Sequence, residues 1–168
     1  LLKTTNVTYV VASDTDSIYI RLGEVVNKIF KDKSDTRKIV RVMDKFCNET
    51  IQPQIDKSFD KLAQYVHAHE QKMIMKREVI ANKGIWTAKK RYILNVYNDE
   101  GVELKQPKLK IMGIEAVKSS TPAPCRVKIK EALSVIMNKD ESSLIQFIDD
   151  FRNEFKKLSP EAIAYPRS

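Results

Sequence analysis

The sequence has few of the side chains that build zinc sites and disulfide frameworks. Only two cysteines occur in 168 residues, Cys47 and Cys125, and their separation matches no common metal-ligand spacing. The two histidines, His67 and His69, stand two positions apart, whereas zinc ligands on one helix face stand four apart. These shortages argue against a disulfide-stapled secreted domain and against a zinc site, and they favour a reduced intracellular protein.

Long apolar runs are also missing. No run approaches the length of a membrane-spanning helix, and no secretory signal opens the chain, so we expect no membrane partner and a cytoplasmic location. The chain starts at Leu1 rather than methionine, and for that reason we expect a piece of a longer polypeptide. Hydrophobic residues make up 42% and charged residues 31%, as in ordinary globular proteins with one sizeable core.

Positive charge is concentrated in the middle of the chain. The net charge is +8. Residues 72–118 hold 11 basic and 5 acidic side chains, whereas the segments on either side are nearly balanced. A solvated basic face is the more common origin of such a block, but its concentration favours a surface that meets a polyanion.

The stretch around Asp14 and Asp16 carries the clearest chemical pattern. Residues 7–11 and 18–22 are rich in β-branched and aromatic side chains, and the Asp, Thr and Ser residues between them are turn formers. We predict a β-hairpin with two carboxylates at its tip, where residues two apart on a strand point the same way. Carboxylate pairs bind Mg²⁺ and suit two-metal phosphoryl transfer, although an acidic tip is also typical of a solvated Asx turn.

The rest of the chain predicts an α+β fold, with an antiparallel sheet, packed helices and a helical segment at the end. A long amphipathic helix, capped by Asp35 or Ser34, covers residues 36–66, with a kink or two abutting helices at Pro53. Strands are predicted over residues 72–80, 85–97 and 107–115, with a turn at 82–84. Two further helices follow, the first capped by Thr121 and the second by Asp140.

The second chemical pattern is the run Lys89-Lys90-Arg91-Tyr92. On a strand, Lys90 and Tyr92 would share one face, and Lys89 and Arg91 the other. Lysine and arginine neutralise phosphates, and a tyrosine beside them can pack on a sugar or base. Basic strands are common on exposed faces, so this run by itself is a weak indication of nucleic-acid binding.

Together these motifs resemble the family B DNA polymerases. Ser13-Asp14-Thr15-Asp16-Ser17 resembles motif C, in which the family usually has Gly at the position of Ser13. Lys89–Tyr92 resembles the Lys-Lys-Arg-Tyr motif that holds the primer–template duplex. Residues 107–115, which include Lys110, and residues 119–122 are similar to the palm-to-thumb junction of the tailed-phage branch. The resemblance implies the later part of a palm over residues 1–117 and the start of a thumb over 118–168.

What the resemblance implies is template-directed deoxynucleotidyl transfer to a primer 3′ end with two Mg²⁺ ions. Asp16 matches the family's metal ligand, Asp14 its companion, and Glu78 a further acidic position. Lys89, Lys90, Arg91, Tyr92 and Lys110 would bind DNA. The implied partners are primer–template DNA, deoxynucleoside triphosphates, the remainder of the polymerase and a sliding clamp, in the host cytoplasm if the polymerase is phage-encoded.

The same resemblance shows what this chain does not contain. Motif A, an aspartate before Ser-Leu-Tyr-Pro, is absent, as are the lysine-rich finger helix and any exonuclease motif. We therefore expect half a catalytic site and no polymerase activity from the isolated chain. We also expect the Asp14–Asp16 tip and the Lys89–Tyr92 strand to belong to one sheet, with the helices after Thr121 standing off it.

Two other functions fit parts of the pattern. A haloacid-dehalogenase-like phosphatase also has a hydrophobic strand that ends in Asp-x-Asp, but its fold needs a loop and helix next, where this chain has a predicted strand. A non-catalytic nucleic-acid-binding module would use only the basic run, and Asp14 and Asp16 would then be dispensable.

Overall fold

A computed structural model describes residues 8–164 of the chain. The described residues form an α+β fold with antiparallel sheets, as predicted. The strands are β1 (Val10–Asp14), β2 (Ser17–Ile20), β3 (Val79–Ala88), β4 (Arg91–Asp99) and β5 (Val102–Met112). The helices are α1 (Gly23–Ile29), α2 (Thr36–Phe46), α3 (Gln52–Tyr65), α4 (Ala123–Asn138), α5 (Glu141–Phe155) and α6 (Pro160–Ile163).

Strands β1 and β2 form an antiparallel hairpin, as the sequence predicts. Val10 pairs with Ile20 and Asp14 with Ser17, and an irregularity near the start of β1 shifts the register. The hairpin is a two-stranded sheet of its own, so the expectation of one sheet containing both motifs is wrong.

Helices α2 and α3 abut through a π-helical segment, Cys47–Ile51. The Asp35 carboxylate caps α2 by accepting a hydrogen bond from the Lys38 N–H at 2.9 Å. Pro53 lies in the first turn of α3, directly after the π-helical segment, so the change in the helical hydrogen-bond pattern falls beside the residue that has no N–H to donate. The prediction of two abutting helices at this proline is confirmed.

Strands β3, β4 and β5 form an antiparallel meander whose boundaries differ from the predicted ones. Residues 72–78 are not a strand, and residues 82–84 lie inside β3 instead of forming a turn. The first turn of the meander falls at Lys89 and Lys90. Burial explains the shift, because residues 92–96 of β4 are all buried and need a neighbouring strand on each side.

The described residues divide into two compact units. One contains residues up to Asn82 together with Val96–Pro107, and its buried side chains include Val25, Val40 and Met43. The other contains Lys83–Asn95 and the residues from Lys108 onward.

The second unit has a core shared by strands and helix. Ile93 of β4 packs with Ile114 and Ala116 and with Leu133 and Met137 of α4, and Leu109 and Ile111 of β5 border this cluster. Helix α4 therefore packs on the sheet, and the expectation that it stands off is wrong. It begins after Pro122 rather than at a Thr121 cap, whereas Asp140 caps α5 as predicted by accepting from the Ser143 N–H at 2.8 Å.

Candidate functional site

The tip of the β1–β2 hairpin places two carboxylates around a tight turn. Asp14 ends β1 and is half-buried, and the turn itself consists of Thr15 and Asp16. The Thr15 hydroxyl donates to Asp14 Oδ1 at 3.3 Å, and the Ser17 hydroxyl donates to the Asp14 carbonyl at 3.1 Å. These bonds within the turn restrain Asp14, while Asp16 is exposed to solvent.

The position of Asp16 corrects the strand argument for this pair. Asp16 lies in the turn and not on a strand, so the two carboxylates are not related by strand alternation. Ser13 lies within β1 opposite Ile18, and the positive φ of the hairpin falls on Thr15, at 48°. The glycine usual in the family at the position of Ser13 is therefore not needed for this turn.

Glu78 lies immediately before β3 with an exposed side chain, and its carbonyl accepts a hydrogen bond from the Glu100 N–H at 2.6 Å. The preceding residue, Arg77, anchors this segment, because it forms an ion pair with Asp44 and donates to Asn98 Oδ1 at 2.9 Å. Among residues 8–164, no three Asp, Glu, His or Cys side chains cluster as metal ligands would.

The basic run forms a hairpin turn, and this corrects its predicted place on a strand. Lys89 and Lys90 are the exposed turn residues between β3 and β4, and Lys90 has a φ of +61°. Arg91 begins β4. Tyr92 is only 7% exposed, and its ring centroid lies 6.3 Å from that of Trp86. The two lysines therefore project from a loop tip, whereas the tyrosine ring belongs to the packed interior.

Arg91 makes a contact that the sequence reasoning missed. Its Nη2 donates to both carboxylate oxygens of Glu115, at 2.8 and 2.6 Å, and the Lys118 ammonium lies 3.1 Å from the same carboxylate. The backbone N–H of Glu115, the Lys118 ammonium and the Arg91 charge hold the pKa of the Glu115 carboxyl below its usual range. The signal in the sequence was an acidic residue at the end of the third predicted strand, next to the predicted strand that carries the basic run.

Gly113 is a second residue that the sequence reasoning did not single out. It has a φ of +65°, and a Cβ atom placed on it would lie 2.2 Å from the Lys90 carbonyl oxygen. The backbone at Gly113 thus supports the basic turn directly. Lys110, the remaining predicted DNA contact, lies in β5 and is partly buried.

Comparison with known proteins decides the family. A sequence profile described as divergent family B DNA polymerase matches residues 2–147. The chain is 39% identical over 165 residues to the DNA-directed DNA polymerase of Escherichia phage RB69. It is 34% identical over 168 residues to that of Enterobacteria phage T4.

The chain belongs to the family B DNA polymerases. Each alignment covers 93% of this chain and 18% of the phage polymerase, so this family B chain spans less than a fifth of the length of these relatives. The family resemblance drawn from the sequence is confirmed, and the haloacid-dehalogenase-like phosphatase is excluded. Strand β2 directly after Asp16 also contradicts the loop and helix that the phosphatase fold requires.

Proposed function

We propose that this chain supplies part of the catalytic centre and of the primer–template contact of a DNA-directed DNA polymerase. The reaction would be template-directed transfer of a deoxynucleotide from its triphosphate to a primer 3′ end. The observation that carries this proposal is the Asp14-Thr15-Asp16 turn at a hairpin tip, in a chain that belongs to family B. As proposed, residues 1–117 belong to the palm and 118–168 to the thumb.

The hairpin tip fits a magnesium site in part. Asp14 and Asp16 offer hard carboxylate oxygens. The Thr15 hydroxyl bonds the Asp14 carboxylate, and the Ser17 hydroxyl bonds the Asp14 backbone carbonyl. Asp16, exposed at the tip, is the principal proposed ligand, with Asp14 beside it and Glu78 as a further acidic candidate. Two bound Mg²⁺ ions would lower the energy of charge on the attacking and leaving oxygens.

The isolated pair needs further ligands. The described residues hold no cluster of three acidic, histidine or cysteine side chains, and the sequence lacks the motif A aspartate. The two-stranded hairpin also exposes Val10, Val11 and Ile18, and an isolated hairpin of this kind is marginally stable in water. Both observations support the remainder of the polymerase as a partner that covers the hairpin and completes the site.

The Lys89–Lys90 turn is the proposed phosphate contact. Both ammonium groups are at an exposed loop tip within the basic block of residues 72–118. Lysine contacts to phosphates carry no sequence information, as a polymerase that moves along any template requires. Tyr92, buried beside Trp86, would support this turn from within, and Lys110 would add charge from β5.

Further partners and the location rest on family membership. Primer–template DNA and deoxynucleoside triphosphates are the proposed substrates, and a sliding clamp is proposed on resemblance alone. The host-cell cytoplasm is the proposed location, since both phage relatives are DNA polymerases. No helix within residues 8–164 is both long and apolar enough to span a membrane.

The test is Asp16→Asn in the complete polymerase that contains this chain. The substitution keeps the side-chain shape and removes one charge, so we expect the rate of primer extension to fall at least about a hundredfold, as when one electrostatic stabiliser is lost. Asp60→Asn, at an exposed position of α3, is the matched control and should leave the rate unchanged. Near-normal extension by Asp16→Asn would favour a non-catalytic nucleic-acid-binding module instead.

A further inference from the structure

The basic turn has an energetically unfavourable backbone that its neighbours must hold in place. Lys90 adopts a positive φ of 61°, a left-handed conformation that is energetically unfavourable for a non-glycine residue. Lys89 and Lys90 are the exposed residues of this turn. Two contacts that restrain the turn are the close approach of Gly113 to the Lys90 carbonyl and the ion pair of Arg91.

Glu115, the partner of Arg91, stands between two buried residues. It opens the short 3₁₀ turn Glu115–Val117, and its neighbours on both sides, Ile114 and Ala116, are buried in the core formed with α4. Ala116 has no exposed surface at all. The backbone of Glu115 is therefore anchored in the packed interior although its side chain is partly exposed, and the two hydrogen bonds from Arg91 Nη2 connect the base of the basic turn to this anchored residue.

This geometry separates the roles within the basic run. Nη2 of Arg91 donates to both oxygens of the Glu115 carboxylate, so this end of the guanidinium group is directed at Glu115 and not at a phosphate. On the proposed function, in which the turn binds DNA phosphates, we infer that Arg91 and Glu115 are positioning residues for the phosphate contacts of Lys89 and Lys90, with Gly113 as their backbone support.

Neutralising Glu115 distinguishes a positioning role from simple charge repulsion. If this carboxylate were only an acidic bystander near DNA, its neutralisation would remove repulsion and tighten binding. If it positions the turn, Glu115→Gln weakens binding, by about two- to fivefold, which is the range for losing an exposed ion pair. The control Glu131→Gln, in which another ion-paired glutamate of the same unit is neutralised, should not weaken binding.

A charge swap tests the pairing itself. In the complete polymerase, primer–template affinity is measured by fluorescence anisotropy for Arg91→Glu and for Arg91→Glu combined with Glu115→Arg. Both are made in a Lys118→Gln background, because Lys118 would repel an arginine at position 115. The melting temperature of each variant is recorded, and affinities are corrected for the binding-competent fraction.

The inference predicts that Arg91→Glu weakens binding and that the swap returns the affinity to within about twofold of the Lys118→Gln reference. If position 91 contacted a phosphate itself, a glutamate there would still repel DNA after the swap. Affinity that the swap does not restore would therefore overturn the inference. Tighter binding by Glu115→Gln would overturn it as well.

One more variant, Lys90→Ala, separates failure of this inference from failure of the proposed function. Lys90→Ala should lower the slope of log affinity against log salt by roughly 0.9, the value for one lost phosphate contact. An unchanged slope would reject the turn as a DNA contact and the positioning role with it. A reduced slope together with an unsuccessful swap would reject the positioning role alone.

Discussion

Replacement of Gly113 by alanine should destabilise the second unit more than any other glycine substitution in that unit. Two effects add at this position. A non-glycine residue at a φ of +65° is destabilising by roughly 1–2 kcal/mol. The added Cβ would also lie 2.2 Å from the Lys90 carbonyl oxygen and 3.2 Å from Arg91 Cγ, and such overpacking is destabilising by roughly 1–3 kcal/mol. We therefore expect Gly113→Ala to lower the free energy of unfolding by about 2–5 kcal/mol.

The chain offers an internal probe and matched controls. Trp86 is the single tryptophan, and it packs beside Tyr92 in the same unit as Gly113, so urea unfolding followed by its fluorescence reports on that unit. Gly84→Ala brings a Cβ to 2.7 Å from the Trp86 ring without a positive φ, so only the roughly 1–3 kcal/mol of overpacking applies.

Gly23→Ala is the control that should raise the free energy of unfolding instead of lowering it. A Cβ at Gly23 meets nothing within 4 Å at the start of α1, and it should stabilise the chain by roughly 0.4–1 kcal/mol, measured by circular dichroism. A free energy of unfolding for Gly113→Ala within about 0.5 kcal/mol of wild type would refute the reasoning, since surface substitutions without strain fall in that range.

Three further results are expected. Lys90→Ala should weaken binding of the complete polymerase to unrelated primer–templates by a similar factor, whereas Lys105→Ala, an exposed lysine of β5, should have much less effect in the same salt titration. The purified chain alone should not extend a primer, because the site lacks the ligands of motif A, and extension without an added polymerase partner would contradict this. The Ser143 hydroxyl and N–H lower the pKa of Asp140, so its stabilising effect is complete above the unfolded pKa of about 4 and is lost as the pH falls through the lower folded pKa. The difference in unfolding free energy between wild type and Asp140→Ala should accordingly be largest near neutral pH and shrink in acid; a difference independent of pH would contradict that linkage.

The sequence by itself determined the local features of this protein. The β1–β2 hairpin around Asp14 and Asp16 follows from turn formers between two β-branched runs. The caps of α2 and α5 follow from Asp35 and Asp140, and the break between α2 and α3 falls beside Pro53. Each of these depends on hydrogen bonds between residues a few positions apart, so short sequence patterns predict them. Family membership was likewise readable from short motifs in order.

Only the tertiary structure decided where the chain turns within the three-stranded sheet and which residues contact the basic run. The sequence favoured a turn at residues 82–84, yet the chain turns at Lys89 and Lys90, where the backbone is locally unfavourable. Distant residues make that turn possible, because Gly113 admits the Lys90 carbonyl and Glu115 holds Arg91 from the edge of the α4 core. Contacts between residues more than twenty positions apart leave no local pattern in the sequence. The free energy gained by burying β4 outweighs the local preference for a turn at residues 82–84.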